Sequence, residues 1–203
     1  MKSFIRLTDY TKSELLKIFQ IADTVEKYNG FLQGKTIVMF FPASSIRTRV
    51  SFEKGVYLLG GQTILFDPAT LDKKEDIRDV CGYIQNWADA VIVRHRDISM
   101  LEMMANTLSI PVVNAMTDEN HPCEIMSDLY TLSKIRTDYL RDNYLFVGAD
   151  GNIGRAWKEA AEAFGFSLNP CPPFYRGEEV KEEVIDSDYF IGYEFKQSLL
   201  KVQ

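Results

Sequence analysis

The sequence predicts an α/β fold in which mostly parallel sheets are flanked by helices. Two observations carry this. Short apolar runs of strand length alternate with longer segments whose apolar residues recur at helical spacing. Short polar or cationic segments follow the apolar runs, and ligands of parallel sheets bind outside the carboxyl ends of the strands. Four such segments stand out: Ser45 to Arg49, the Lys73-Lys74 loop, Arg94 to Arg96, and His121-Pro122-Cys123-Glu124.

Taken in order, Thr11-Lys-Ser-Glu14 has the form of a capping box, opening a helix expected to reach about Tyr28. Leu15, Leu16, Ile18, Phe19, Ile21 and Ala22 would form its apolar face. Gly30 and Gly34 bracket a turn into a strand over 36–41, which Pro42 ends. Ser44 and Ser45 then stand at an N-cap, and Val50, Phe52, Val56, Tyr57 and Leu59 follow at helical spacing until Gly60-Gly61. A helix N-terminus attracts anions through free N–H groups and a partial positive charge. Ser45, Arg47, Thr48 and Arg49 at that point make a phosphate cradle, the alternative being an ordinary cap followed by surface arginines.

Strands are expected over 62–66, 88–93 and 111–115, with helices over 75–87, 98–108 and 124–135. A second unit opens near Asn143 with a strand through Val147 and a helix over 155–164. Between them, Gly148-Ala-Asp-Gly-Asn-Ile-Gly154 lacks the spacing of a dinucleotide turn, so its glycines are read as letting the strand turn sharply into the helix. Beyond lie a Pro-rich loop over 169–177, a short acidic helix over 178–185, a strand over 189–192 and a last helix over 194–202.

Composition sets the outer limits. The 203 residues are 46% hydrophobic, with 13 Phe and 10 Tyr, enough for a substantial core. A net charge of −6 argues against non-specific nucleic-acid binding but not against a small anionic ligand. No apolar run approaches the ~18 residues of a membrane span, and the charged start does not resemble a secretory signal. Three widely spaced cysteines, Cys81, Cys123 and Cys171, fit reduced thiols in a cytoplasm and suggest neither a disulfide framework nor a metal site.

The segments SSIRTRVSFE, VIVRHR, VNAMTDENHPCEIMSDLYTL and CPPFYRGEEVKEEVID resemble the aspartate/ornithine carbamoyltransferase family, the ornithine branch most. The resemblance implies a carbamoyl-phosphate domain over about 1–140 and an incomplete Rossmann-like amino-acid-binding domain over 141–193. The helix at 194–203 would pack back on the first domain. It implies transfer of a carbamoyl group from carbamoyl phosphate to the amine of a small amino acid, ornithine or a relative, with no metal or cofactor. Ser45, Arg47, Thr48 and backbone N–H groups, that of Ile46 included, would hold the phosphate. Arg94 would bind phosphate or the carbamoyl oxygen, His121 would donate to that oxygen, and Glu124 would contact the carbamoyl amine. Lys74 would act in a neighbouring subunit of a trimer. Asn152, Arg155, Cys171 and Pro172 complete the expected substrate contacts, with Arg47, Arg94, His121 and Cys171 as the catalytic set.

Each residue has a plainer alternative: a strand-end ion pair for Arg94, a loop cap for His121, a solvated charge run for Lys74, an inert thiol for Cys171. His95 and Arg96 read as surface residues.

The chain also departs from the family. Ile46 stands for Thr or Gly, Glu124 for Gln, Thr70 for Gln, and Ile153 for an Asn that holds the amino acid. Gly154-Arg155 would substitute by holding a carboxylate. Pro170 and Pro172 flank Cys171 in place of His and Leu, and a long family segment is missing between residues 169 and 170. A second sheet so curtailed would expose edges and apolar faces, which favours an interruption of the numbering there over a deletion. An intact mass near 23.3 kDa would mean a deletion. These departures motivate the rival function, a paralogue that binds carbamoyl phosphate or phosphate as a sensor or scaffold without turnover. A nucleotide site at Gly148 to Gly154 is a third reading.

Overall fold

The computed structural model describes residues 2–171, 189–192 and 199–201, with side chains through residue 169. Four strands, β1 (Thr36–Phe40), β2 (Gln62–Phe66), β3 (Ala90–Arg94) and β4 (Val112–Met116), form a parallel sheet in the order β2-β1-β3-β4. β1 is buried along its whole length, as a central strand covered on both faces must be. Helix α2 (Ile46–Leu58) covers one face, where Val56 packs against Ile37, Met39 and Ile92. Helices α3 (Ile77–Ile84) and α4 (Ile98–Thr107) cover the other, with Cys81, Leu101 and Met104 against Val38, Val91 and Val93.

The start of the chain joins both units. Thr11 caps helix α1 (Lys12–Ala22) in a true capping box with Glu14. The helix ends earlier than its sequence suggests. Asp23, held by the Tyr130 hydroxyl and by Lys134, marks the stop, and Val25–Tyr28 continue as a 3-10 turn. Leu15 and Phe19 of α1 pack with Ile125 and Leu129 of α5 (Pro122–Ile135) and with Trp157 and Phe164 of α6 (Asn152–Phe164). Burying each such side chain contributes roughly 1.5–3 kcal/mol, so this cluster couples the two sheets.

The second sheet has the order β6-β5-β7-β8, from β5 (Asn143–Val147), β6 (Ser167–Cys171), β7 (Tyr189–Gly192) and β8 (Leu199–Lys201). β6 and β7 run parallel to β5, and β8 is antiparallel to β7. Gly165, with φ 72°, ends α6 in the left-handed conformation that glycine adopts without penalty.

Several expectations change. Residues 199–201 form a strand, not part of a last helix, because they complete hydrogen bonds along β7. The rest of that stretch and the acidic helix over 178–185 lie outside the described residues. Residues 169–171 belong to β6, an edge strand, instead of opening the expected Pro-rich loop, and an edge position tolerates a proline without an N–H. The glycine at 154 serves close packing, since a Cβ there would stand 2.9 Å from a ring carbon of Phe146. The positive-φ glycines all lie outside the 148–154 turn. Among the described residues no helix is long and apolar enough to cross a membrane.

Candidate active site

The helix caps divide into two kinds. Asp76 and Asp97 cap α3 and α4 by accepting from Arg78 N–H and Ser99 N–H. Helices α2 and α5 begin at Ser45 and His121, and neither side chain makes a cap bond. The first-turn N–H groups of a helix have no intrahelical acceptor, so α2 and α5 keep their positive ends open. Both open ends face one cleft of about 920 Å³, lined among others by Arg47, Thr48, Arg94, His121, Glu124 and Asn152.

Ser45 thus stands at the expected N-cap but works differently. It is 4% exposed, and its Oγ accepts from Arg94 Nη1 at 3.0 Å. Arg94 is the last residue of β3, where the register with β4 shifts between Val93 and Arg94. Such an irregularity re-aims a side chain at the end of a strand. Burial lowers the Arg94 pKa first. Glu124 opposes that, and the positive charge of Arg47 adds to it. Two guanidiniums that disfavour one another leave attraction to spare for an anion between them.

His121 is 5% exposed, and burial followed by the Arg94 charge brings its pKa down to about 4. It is therefore a neutral imidazole near pH 7. Its Nε2 lies 3.4 Å from Glu124 Oε2, one helical turn on. Cys123, beside it, donates from Sγ to the Asn114 carbonyl at 3.2 Å, and burial pushes its thiol up to about 12. That cysteine is a tether between α5 and β4.

On the second unit, Asn152 lines the cleft and donates from Nδ2 to the Thr117 carbonyl at 2.8 Å, and Ile153 lines the cleft beside it.

The chain belongs to the aspartate/ornithine carbamoyltransferase family. What decides it is the match of residues 2–134 to the sequence profile described as aspartate/ornithine carbamoyltransferase, carbamoyl-P binding domain. The cleft rim built from α2, β3 and α5 lies inside that region. The chain is 34% identical to the ornithine carbamoyltransferase of Pelobacter propionicus over 183 residues, 86% of this chain and 60% of that protein. It is 37% identical to the one of Nitratidesulfovibrio vulgaris over 172 residues, 82% of this chain and 57% of that protein. The structure of ornithine carbamoyltransferase from Pyrococcus furiosus superposes with a TM-score of 0.80 at 28% identity, over 91% of this chain and 61% of that one. The chain thus spans about 60% of the length of the curated relatives it matches.

Within this family member the expected site residues divide. Arg47, Thr48, Arg94, His121, Glu124 and Asn152 meet in the cleft, with Ser45 behind Arg94. Ile46 turns its side chain outward, 71% exposed, and its N–H already donates to the Ser44 carbonyl at 3.1 Å. Lys74 is exposed and outside the cleft of its own chain. Arg155 does not offer itself to a carboxylate. Its guanidinium donates to the carbonyls of Glu119, Asp118 and Asp150 at 3.0, 2.6 and 3.1 Å, outside the cleft, because α6 directs it at the 118–119 loop. The side chain of Cys171, and Pro172 altogether, lie outside the described residues.

His95 corrects the surface reading. Its side chain is 8% exposed, accepting at Nδ1 from Asp97 N–H and meeting Asp72 Oδ1 at 3.0 Å through Nε2. Sequence reasoning also passed over Asn120, whose spacing from Thr117 marks a tight turn immediately before His121. Thr117 N–H donates to the Asn120 carbonyl at 2.8 Å.

Proposed function

We propose that the chain catalyses carbamoyl transfer from carbamoyl phosphate to the amino group of a small amino acid, ornithine or a relative. The observation that carries this reading is the meeting of Arg47, Arg94 and His121 at the carboxyl ends of β1, β3 and β4, in one cleft with two uncapped helix ends.

A doubly charged phosphate fits between Arg47 and the N-terminus of α2, with Thr48 as a further donor. The neutral amine attacks the carbamoyl carbon. A tetrahedral intermediate forms, and phosphate departs with the C–O bond pair and with the proton that the amine nitrogen gives up. Arg94 and the neutral imidazole of His121 donate to the developing oxyanion, where preorganised donors are worth most. Glu124 accepts from the carbamoyl NH₂. Asn152 faces the acceptor side, and Cys171 and Pro172 belong to the same proposed set. The route calls for no metal or cofactor.

The working unit in this reading is a cytoplasmic homotrimer in which Lys74 serves the neighbour's cleft. Support comes from the outer face of α2. Ile46, Val50, Tyr57 and Leu58 are 71, 56, 69 and 59% exposed, so of its apolar residues only Val56 is buried. An uncovered apolar face of this kind marks a contact surface. The proposed domains are a carbamoyl-phosphate unit through about residue 140 and an amino-acid unit beyond it.

Mixing the chain with carbamoyl phosphate and a panel of amines, ornithine first, tests the reading by phosphate release. Turnover with one amine is the expected result. Calorimetric binding of carbamoyl phosphate without turnover on any amine would replace the enzyme by the binding paralogue. Absence of both would overturn the site.

A further inference from the structure

The backbone leading into His121 is held by a buried polar strut that crosses from the first sheet to the second. Asn114, Thr117 and Asn120 are all 0% exposed. Asn120 Oδ1 receives Asn114 Nδ2 at 2.7 Å and the Thr117 hydroxyl at 3.0 Å. Its Nδ2 donates to the Ile5 carbonyl at 3.3 Å and to both oxygens of Glu159, at 3.0 and 3.2 Å. Every polar valence of the Asn120 amide is thus used. Glu159 belongs to α6. One of its oxygens also accepts from Leu7 N–H at 3.3 Å, and the other lies 3.4 Å from Arg6 Nη1. Arg6 in turn holds Glu102 of α4 at 3.0 Å and Glu119 at 2.7 Å.

Ordinary solubility does not explain a carboxylate here. The Glu159 side chain is only 15% exposed. Its pKa is raised by burial first, against the lowering effect of Asn120, Leu7 and Arg6. One guanidinium faces three carboxylates, so the cluster is not a simple neutral pair. A buried carboxylate in deficit of cations costs stability. Its place fits a geometric role, because donors face both of its oxygens: Asn120 and Arg6 on one, Asn120 and Leu7 on the other.

We infer that Glu159 is a positioning residue that fixes the 117–120 turn, and through it His121, against α6. This rests on the reading of His121 as a donor in the cleft. The strut also sets where Asn152, on the same helix as Glu159, stands relative to His121, since Asn152 donates to Thr117 in that turn.

The chain has two histidines, so both ring signals can be followed by NMR without crowding. Glu159→Gln keeps the shape but puts an NH₂ where one carboxylate oxygen stood, setting donor against donor toward either Leu7 N–H or Arg6 and Asn120. With the circular dichroism spectrum retained, the His121 titration midpoint should rise from about 4 toward the ordinary imidazole value, as water reaches the loosened turn. His95 should not move. In phosphate release, kcat should fall by up to about 100-fold with little change in KM for carbamoyl phosphate, since misplacement by an ångström has that cost. An unmoved His121 signal in folded Glu159→Gln overturns the proposal. Should that variant not fold, Arg6→Lys replaces it: one ammonium cannot reach Glu102, Glu119 and Glu159 together. The same shift, smaller, is then expected, and no shift overturns the proposal. A parent chain that releases no phosphate would end the functional reading alone, because the histidine titration stands independently of turnover.

Discussion

The two sides of the cleft spend their polar groups differently. On the first sheet, Arg47 and Arg94 converge with few protein acceptors between them, and the helix ends at Ser45 and His121 are left uncapped. On the second unit, Arg155 is occupied by three backbone carbonyls and Asn152 by a fourth. In the proposed reading the first side is the one that receives the anion. The second uses its donors to hold the 117–119 turn in place. Donors left open at one place and satisfied at the other are the difference between a binding surface and a brace.

The largest test of this contrast concerns stability. Trp157 is 1% exposed beneath the second unit, between Tyr144 and Phe166. Trp157→Ala should cost about 3–5 kcal/mol in urea unfolding. Phosphate affinity of the folded protein should remain, if the anion site stands on the first sheet alone.

Next comes pH. The folded midpoint of His121 lies near 4, below the ordinary value of about 6.5. Between those values the unfolded chain takes up a proton that the folded chain refuses. The contribution of this residue is therefore complete above about pH 6.5 and lost as pH falls toward 4, on the order of 3 kcal/mol. Urea melts compared between pH 7 and pH 4 should show this component, and His121→Gln should remove it. Added phosphate should raise the midpoint, because an anion favours the imidazolium.

Arg47→Ala should weaken phosphate binding by calorimetry roughly 10- to 100-fold, the effect of losing a charge-assisted contact worth about 1.5–3 kcal/mol. An unchanged affinity would place the anion elsewhere. The smallest effect is expected on the bracing side. Arg155→Ala should leave phosphate affinity within about twofold and lower stability by about 1 kcal/mol, the net worth of hydrogen bonds of this kind. A large loss of affinity would erase the distinction between the two sides.

Much of the architecture was legible because it depends on local patterning. The all-buried run at 36–40, the capping box at Thr11 and Glu14, and the placement of polar segments after strands each follow from period, cap chemistry and chain direction. The Ser-x-Arg-Thr-Arg and His-Pro-Cys segments were legible as neighbours in one cleft because both open helices at the carboxyl ends of strands. What was read wrongly depended on partners distant in sequence. His95 reads as exposed until Asp72 is found beside it, and Arg155 reads as a carboxylate ligand until the 118–119 carbonyls occupy it. The strand at 199–201 has no alternating signal strong enough to outweigh its helical spacing, and only pairing with β7 makes it one.

The sequence by itself determined most of the order of strands and helices, where helices α2 and α5 begin and the residue types that follow each strand, since these need only the chain's own periodicity and backbone chemistry. The tertiary structure alone decided which cations remain unspent, how far His121 is drawn from its ordinary titration, and that Glu159 reaches Asn120 from 39 residues away. Burial and charge compensation are properties of what surrounds a group in space, and sequence distance carries almost no information about that.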